Sequence, residues 1–239
     1  MKSTLNVGVV VADDIEFEPF INLNTVPKQI RNFNKRPGYV LLYENGGKTI
    51  KLWVIYSGVG KVNSAAAAQF LIDNGADILL NYGLSGGLKD TAKGADMVGT
   101  SFVEHDFDLT CLGYDKGQKP GQSYVFYSDE RLVNIFEKAC QPIKRGNVAS
   151  GDTFVSNDEL KNELIRLYNV DCCDMESAAI ASVADNFGIP FATLRRISDD
   201  AGDSATETYS TVNTTVHAPL VEKVLNVVPL IFCEESFWE

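Results

Sequence analysis

Residues 171–203 constrain the fold more than any other part of the chain. After a short strand, apolar side chains recur at the i, i+3, i+4 and i+7 spacing of one buried helix face, at Ile180, Val183, Ala184 and Phe187. Gly188 and Pro190 predict the end of this helix, because glycine accepts the left-handed cap conformation and proline blocks continuation. Residues 191–198 follow as a buried strand. This strand–helix–strand unit predicts an α/β fold.

Carboxylates follow both strands of this unit. Glu176 comes directly after the first strand, beside Met175, and Asp199 ends the second strand. In α/β sheets, ligands bind just beyond the carboxyl ends of the strands. If the two strands are neighbours, Glu176 and Asp199 are placed where chemistry would occur.

The rest of the chain contains further predicted strands and helices. The strands are expected at residues 7–12, 40–43, 50–56, 78–82, 97–103 and 146–150. The helices are expected at residues 62–74, 129–139, 158–168 and 211–228. No repeat, low-complexity segment or linker interrupts this series, so residues 1–239 are interpreted as a single domain.

Three polar or glycine-rich segments are candidates for ligand contact. The segment SGVGK at 57–61 opens a helix, where free backbone N–H groups can bind an anion or a polar ligand. The segment GLSGG at 83–87 follows a strand and permits close backbone approach. The first segment could also be a plain turn, and the second could equally serve tight packing. The polar segment 105–120 is interpreted as a lid or contact loop.

The composition of the chain limits the classes of molecule that it can be expected to bind. The net charge of −11 argues against nucleic acid and anionic membranes as partners, and no apolar run approaches the ~20 residues of a membrane span. Two histidines exclude a histidine-rich metal site. The five cysteines show no paired spacing, which favours reduced thiols in a cytoplasmic protein. The apolar run near the N-terminus is interpreted as a buried first strand, not a signal peptide.

Six motifs together resemble one family. They are SGVGK (57–61), NYGLSGGL (81–88), HDFDLTCLGYDKGQKPG (105–121), ASGDTF (149–154), DMESAA (174–179) and RRISDDAGD (195–203). Their order and content resemble the nucleoside phosphorylase superfamily, and within it the 5′-methylthioadenosine/S-adenosylhomocysteine nucleosidases. The resemblance implies a three-layer α/β/α sandwich on a mixed, twisted central sheet. It also implies a homodimer and a reaction without metal or cofactor, on a small-molecule adenine nucleoside.

The resemblance assigns three catalytic carboxyl groups. Asp199 is expected to protonate the purine N7, Glu16 to orient and deprotonate water, and Glu176 to accept hydrogen bonds from the sugar hydroxyls. Cleavage of an N-glycosidic bond passes through a ribosyl cation-like state, so the leaving base must be neutralised and the cation stabilised. Three carboxyl groups can supply these functions without a metal.

The resemblance also assigns the substrate-binding residues. Phe154 is expected to stack on adenine, Val155 to offer its backbone to the adenine edge, and Arg195 to hold Glu176. The remaining candidates lie on the ribose side, in the glycine-rich segment or around the 5′ substituent: Met175, Gly83, Leu84, Tyr209, Leu112 and Pro120. Leu112 and Pro120 belong to the loop that is expected to reach across a dimer interface.

Two other functions remain open at this level. Purine and uridine phosphorylases of the same superfamily bind phosphate with fixed cations, ideally arginines. Here the first strand ends in Ala12-Asp13-Asp14-Ile15-Glu16, whose carboxylates would repel phosphate, so hydrolysis is favoured. A non-catalytic nucleoside-binding protein would be expected to lack the acid or the water-activating carboxylate, and both positions are filled.

Three departures from the family pattern concern the substrate. Leu84 stands where a small serine is common, and Leu112 replaces a larger aromatic residue of some members. Asp13 stands where an apolar residue usually borders the 5′ pocket. A carboxylate there suits a polar or amino 5′ group, although Asp13 could also simply point to solvent.

Overall fold

Strands that are buried on both faces form the centre of the molecule. The structure is a computed structural model, and it describes residues 2–22, 28–33, 36–89, 91–211 and 214–239. The strands are β1 (Thr4–Val11), β2 (Lys28–Phe33), β3 (Arg36–Asn45), β4 (Lys48–Tyr56), β5 (Ile78–Gly87), β6 (Asp96–Glu104), β7 (Phe126–Tyr127), β8 (Lys144–Ser150), β9 (Cys172–Asp174) and β10 (Phe191–Asp199). The helices are α1 (Asp14–Ile21), α2 (Lys61–Asp73), α3 (Glu130–Ala139), α4 (Asp158–Tyr168), α5 (Ser177–Phe187), α6 (Ala205–Ser210) and α7 (Thr214–Cys233).

The sheet is mixed and partly closed. Its strand order is β10-β6-β8-β9-β5-β1-β4-β3-β2, and β10 also pairs with β5. Strands β5, β10, β6, β8 and β9 therefore form a closed ring, from which β1, β4, β3 and β2 extend as an open sheet. Strands β1, β5 and β10 run parallel, so their carboxyl ends lie at the same edge.

Helices cover both faces of the sheet. Along β1, alternate side chains enter two different cores: Val7 and Val9 pack with α1, α3 and α7, whereas Val10 packs with α2 and α5. The molecule is thus a three-layer α/β/α structure, which confirms the fold expected from the sequence. Among the helices described, none combines the length and apolar character needed to cross a membrane.

The strand–helix–strand unit at 171–203 is confirmed, with one error. Phe187 was expected on the buried face of α5, but 52% of its surface is exposed. The chain reverses at Gly188, where φ is +64°, and the Ile189 N–H donates to the Ala184 carbonyl oxygen at 2.9 Å. This Schellman-type ending brings Ile189 to the core in place of Phe187.

The glycine-rich segment 83–87, expected to follow a strand, is itself part of strand β5. Strand β5 continues through Gly87 and pairs there with β10 and β9. A Cβ atom on Gly83 would lie 2.5 Å from Arg195 Nη1, and one on Gly86 would lie 2.9 Å from the Ala201 Cβ. The glycines therefore permit side chains and backbone to approach the strand where the ring closes.

The N-terminal third contains elements that the sequence did not reveal. Neither helix α1 nor strand β2 was predicted from the sequence. At the other end of the chain, Val212, part of the apolar stripe predicted for the last helix, lies outside the described residues. Helix α1 begins with a capping box, in which Asp13 accepts from the helix backbone and Glu16 accepts from the Asp13 N–H. Glu16 consequently lies in the first turn of a helix and not at a strand end.

Candidate active site

A cavity opens at the edge where β1, β5 and β10 end. Its empty volume, including space open to solvent, is about 570 Å³. Five carboxyl side chains contribute to its wall: Asp13, Glu16, Asp174, Glu176 and Asp199. Of the described residues that line the cavity, none is lysine, arginine or histidine. The site is therefore strongly acidic and suited to stabilising positive charge.

Glu16 is held by main-chain donors from two elements. Its Oε1 accepts from the Leu84 N–H at 2.8 Å, and its Oε2 accepts from the Asp13 N–H at 3.3 Å. The side chain is buried, and this burial, reinforced by the charge of Glu176, raises the pKa of Glu16 to about 8. A carboxyl group with such a pKa can act as a proton acceptor near neutral pH.

Glu176 stands at the N-terminal end of α5, directly after β9. Its Oε1 accepts from the Gly60 N–H at 3.1 Å, and its Oε2 lies 3.8 Å from Arg195 Nη1. Burial raises the pKa of Glu176, while the positive charge of Arg195 opposes the rise. The SGVGK segment thus presents a backbone N–H to a carboxylate of this chain, where the sequence predicted an anion or a polar ligand.

Arg195 lies behind the cavity wall. It is 1% exposed, and its shortest ion pair is with Asp174, at 2.7 Å between Nη2 and Oδ2. Its guanidinium also donates to Asn81 Oδ1 and, at 2.8 Å, to Ser177 Oγ. Arg195 therefore holds two carboxylates of the cavity wall from behind. Its main partner is Asp174, and the contact that was expected with Glu176 is longer.

Asp199 ends β10 inside the cavity and is 1% exposed. Its Oδ2 accepts from Ser198 Oγ at 2.6 Å, and its Oδ1 accepts from the Ala201 N–H at 2.8 Å. Ala201 has a φ of +52°, a conformation that non-glycine residues rarely adopt. The strained turn holds a donor against Asp199 and so fixes the orientation of its carboxyl group.

The aromatic residues form one side of the cavity. Phe154 and Tyr209 meet edge to face, with ring centroids 5.4 Å apart, and both remain partly exposed. Val155 and Met175 also line the cavity. A flat apolar group could therefore bind against Phe154 while its polar edge faces Val155 and Asp199.

Not every candidate residue reaches the cavity. Leu84 lines it, but Gly83 lies beneath, between Arg195 and Glu16. Leu112 is 68% exposed on the 3₁₀ turn Thr110–Leu112, and Pro120 is exposed; neither lines the cavity of its own chain.

Sequence reasoning missed Asp174 as a site residue. It is the last residue of β9, and its Oδ1 accepts from the Glu176 N–H at 3.3 Å and the Ser177 N–H at 3.2 Å. The strand-end rule that selected Glu176 and Asp199 could have selected Asp174 as well. Among the residues that the structure describes, no group of three or more histidine, cysteine or acidic side chains is arranged as a metal site.

Comparison with known proteins identifies the family. The family model of the Phosphorylase superfamily matches residues 6–227 of the chain. The chain therefore belongs to the phosphorylase superfamily.

Within this superfamily, the chain is similar to nucleosidases. A 5′-methylthioadenosine/S-adenosylhomocysteine nucleosidase of Halalkalibacterium halodurans is 35% identical over 232 residues, which cover 93% of this chain and 97% of the relative. An aminodeoxyfutalosine nucleosidase of Campylobacter jejuni is 32% identical over 164 residues, covering 66% and 72%. The crystal structure of a 5′-methylthioadenosine/S-adenosylhomocysteine nucleosidase from Neisseria meningitidis, in complex with methylthio-immucillin-A, is 31% identical with a TM-score of 0.83, covering 93% of this chain and 98% of that one.

Proposed function

We propose that this protein hydrolyses the N-glycosidic bond of adenine nucleosides, such as 5′-methylthioadenosine or S-adenosylhomocysteine, and releases free adenine. The observation that carries the proposal is a cavity lined by five carboxyl groups and, among the described residues, by no cationic side chain. Such a wall stabilises the positive charge that develops on the sugar as the bond to the base breaks. The similarity to nucleosidases supports the same reaction.

Each of three carboxyl groups carries out a different part of the reaction. Asp199, beside the aromatic wall, donates a proton to N7 of the base, so that the base leaves as a neutral molecule. Glu176 accepts hydrogen bonds from the ribose hydroxyls and stabilises the sugar cation. Glu16, on the far side of the wall, takes a proton from the attacking water. Arg195 and Asp174 act indirectly, since Arg195 from behind the cavity wall and Asp174 from within it position Glu176.

The acidic wall favours water over phosphate as the nucleophile. A phosphate ion needs cationic or N–H donors, whereas Glu16 occupies its place and its Oε atoms already take the Leu84 and Asp13 N–H groups. The test is adenine release with and without added phosphate. We expect equal rates and free 5-substituted ribose as the sugar product. A strict phosphate requirement, with a sugar 1-phosphate as product, would refute hydrolysis.

We further propose that the active protein is a homodimer in the cytoplasm that acts in methionine salvage. Leu112 and Pro120, which are exposed in the single chain, would then contact the 5′ substituent bound in the partner subunit. The resemblance of the segment 105–121 to the family motif supports this arrangement, in which a partner would cover the exposed Leu112.

A further inference from the structure

Asp13 is the carboxylate of the cavity wall that the proposed mechanism does not use. It lines the cavity together with Val59 and Tyr209, both partly exposed at its open end. Burial raises the pKa of Tyr209 to about 12, and the charges of the cavity carboxylates, with Asp13 first among them, add to the rise. Asp13 therefore acts electrostatically on the mouth of the cavity.

The interactions of Asp13 leave its charge uncompensated. Its carboxylate accepts from the Ile15 N–H at 2.9 Å and from the Glu16 N–H as the N-cap of α1. No lysine, arginine or histidine within the described part of the chain forms an ion pair with it. Asparagine and serine cap helices about as well as aspartate, so capping alone does not require the negative charge.

The proposed function implies an orientation of the substrate in the cavity, and this orientation shows which part of the substrate lies near the carboxylate of Asp13. The base lies against Phe154 and Asp199, and the ribose lies against Glu176 and Met175. Asp13, Val59 and Tyr209 belong to the partly exposed part of the remaining wall, and in this orientation they face the group attached to the 5′ carbon. Val59 and Tyr209 offer an apolar channel, and Asp13 places one negative charge beside it.

We infer that Asp13 is a specificity-determining residue that favours adenine nucleosides whose 5′ substituent carries an ammonium group. A cation at the end of a short 5′ chain would pair with Asp13 at the mouth of the cavity. A neutral alkylthio group gains nothing from this charge, and a carboxylate at the same position is repelled. Because Asp13 is partly exposed, the preference is about fivefold in kcat/KM, as for other ion pairs near water.

The test compares substrates that differ only in the terminal group of the 5′ chain. 5′-(2-Aminoethylthio)-5′-deoxyadenosine and 5′-propylthio-5′-deoxyadenosine have chains of the same length, one ending in ammonium and the other in methyl. Adenine release gives kcat/KM for each substrate in the wild type and in Asp13→Asn, which keeps the helix cap and removes the charge. We expect the ammonium-to-methyl ratio of kcat/KM to fall about fivefold in Asp13→Asn.

Asp14→Asn is the matched control, because Asp14 is the exposed next residue of the same helix start and does not line the cavity. Its ratio should equal that of the wild type. Salt of about 1 M should lower the wild-type ratio and leave that of Asp13→Asn unchanged, since screening weakens an exposed ion pair. An unchanged ratio in Asp13→Asn, or an equal fall in Asp14→Asn, would overturn the inference while leaving the nucleosidase function intact. Failure of the wild type to release adenine from any of these nucleosides would instead refute the proposed function.

Discussion

At the scale of single residues, Glu16 is a carboxyl group that the fold buries beside a second carboxyl group. Its pKa is raised from 4.5 to about 8 by burial and by the charge of Glu176. A carboxyl whose pKa is higher in the folded state contributes stability that is full below its unfolded pKa and is lost as the pH rises through the folded pKa. The protein should therefore lose stability between about pH 4.5 and pH 8 through this residue.

The substitution Glu16→Gln should remove this pH dependence. Glutamine retains an oxygen for the Leu84 N–H and cannot ionise, so the variant should melt roughly 5 °C above the wild type at pH 9 and close to it at pH 5. Thermal unfolding across this pH range measures the effect. The same variant should lose nearly all nucleosidase activity. A difference in Tm that is the same at every pH would show that Glu16 ionisation does not affect stability.

Asp199→Asn should abolish activity while preserving the fold. Asparagine can still accept from the Ala201 N–H, and Ser198 Oγ can donate to the Ser85 carbonyl oxygen, which already lies 3.2 Å away. An amide cannot transfer a proton, so kcat should fall by about two to four orders of magnitude.

Asp200→Asn provides the matched control for this prediction. Asp200 is exposed, and its Oδ1 accepts from the Gly202 N–H at 3.1 Å, which is a turn-capping role. Its replacement should alter Tm slightly and kcat little. A near-normal kcat in Asp199→Asn, or a loss fully explained by unfolding, would remove Asp199 from the mechanism.

Local sequence patterns point to the proposed catalytic residues more directly than to the residues that support them. Glu176 and Asp199 follow strands, so the strand-end rule finds them without knowledge of the packing. The position of Arg195 behind Asp174 depends on side chains brought together from β5, β9, α5 and β10, and no local pattern encodes it. Ala201 likewise gives no local sign that its backbone is left-handed, because the surrounding turn imposes that conformation.

At the scale of elements, the start of α2 is anchored by charges from two other segments. Lys61 Nζ lies 3.0 Å from Glu104 Oε2 and 2.5 Å from Asp106 Oδ1, and the Lys61 N–H donates to Asp152 Oδ1 at 2.7 Å. The preceding Gly60 N–H donates to Glu176. The network therefore fixes the loop that holds a carboxylate of the site.

Lys61→Met should weaken both stability and ribose binding. It removes the cation that Glu104 and Asp106 share. The buried Glu104 keeps its ion pair with Lys119, whereas Asp106 keeps, among the described residues, only the Asp152 N–H, so Tm should fall by roughly 3 °C. The looser Gly60 N–H should raise KM several-fold more than it lowers kcat. Lys48→Met is the control, since Lys48 pairs with the exposed Glu235 far from the site. Equal effects from the two substitutions would contradict a positioning role for Lys61.

There is a physical reason why the sequence did not predict the full length of β5 or the helix α1. Strand β5 continues through Gly83, Gly86 and Gly87, although glycine usually weakens a strand, because only glycine leaves room for Arg195 and Ala201. Helix α1 is short, and its capping box was visible in the sequence as Asp13 followed three residues later by Glu16. For β5 the tertiary environment overrides local propensity, whereas α1 carries a local start signal but is too short to show a helical periodicity.

At the scale of the whole molecule, the proposed dimer divides each active site between two subunits. In this proposal the acid, base and ribose-binding groups would come from one chain, and Leu112 would be provided by the loop of its partner. In the single chain Leu112 is 68% exposed and contributes nothing to its own cavity. A substitution of Leu112 should therefore impair the partner's site and leave the fold of its own subunit intact.

Mixing two defective variants tests this division directly. Leu112→Asp should raise KM for nucleosides with bulky 5′ groups, and Asp199→Asn should be inactive for lack of the acid. In a mixed dimer, the Leu112→Asp subunit keeps Asp199 and receives a normal loop from its partner, so one site per dimer is complete. After subunit exchange in an equal mixture, half the dimers are mixed, and activity at low substrate should reach about one quarter of the wild-type rate.

The control variant is Leu167→Asp, an apolar residue of α4 that is 39% exposed and lies outside the loop. It should leave KM unchanged, and its mixture with Asp199→Asn should show only the activity of the Leu167→Asp protein present. Sedimentation equilibrium at micromolar concentration should show dimers for the wild type. A fully active monomer, or no gain on mixing Leu112→Asp with Asp199→Asn despite subunit exchange, would show that each chain completes its own site.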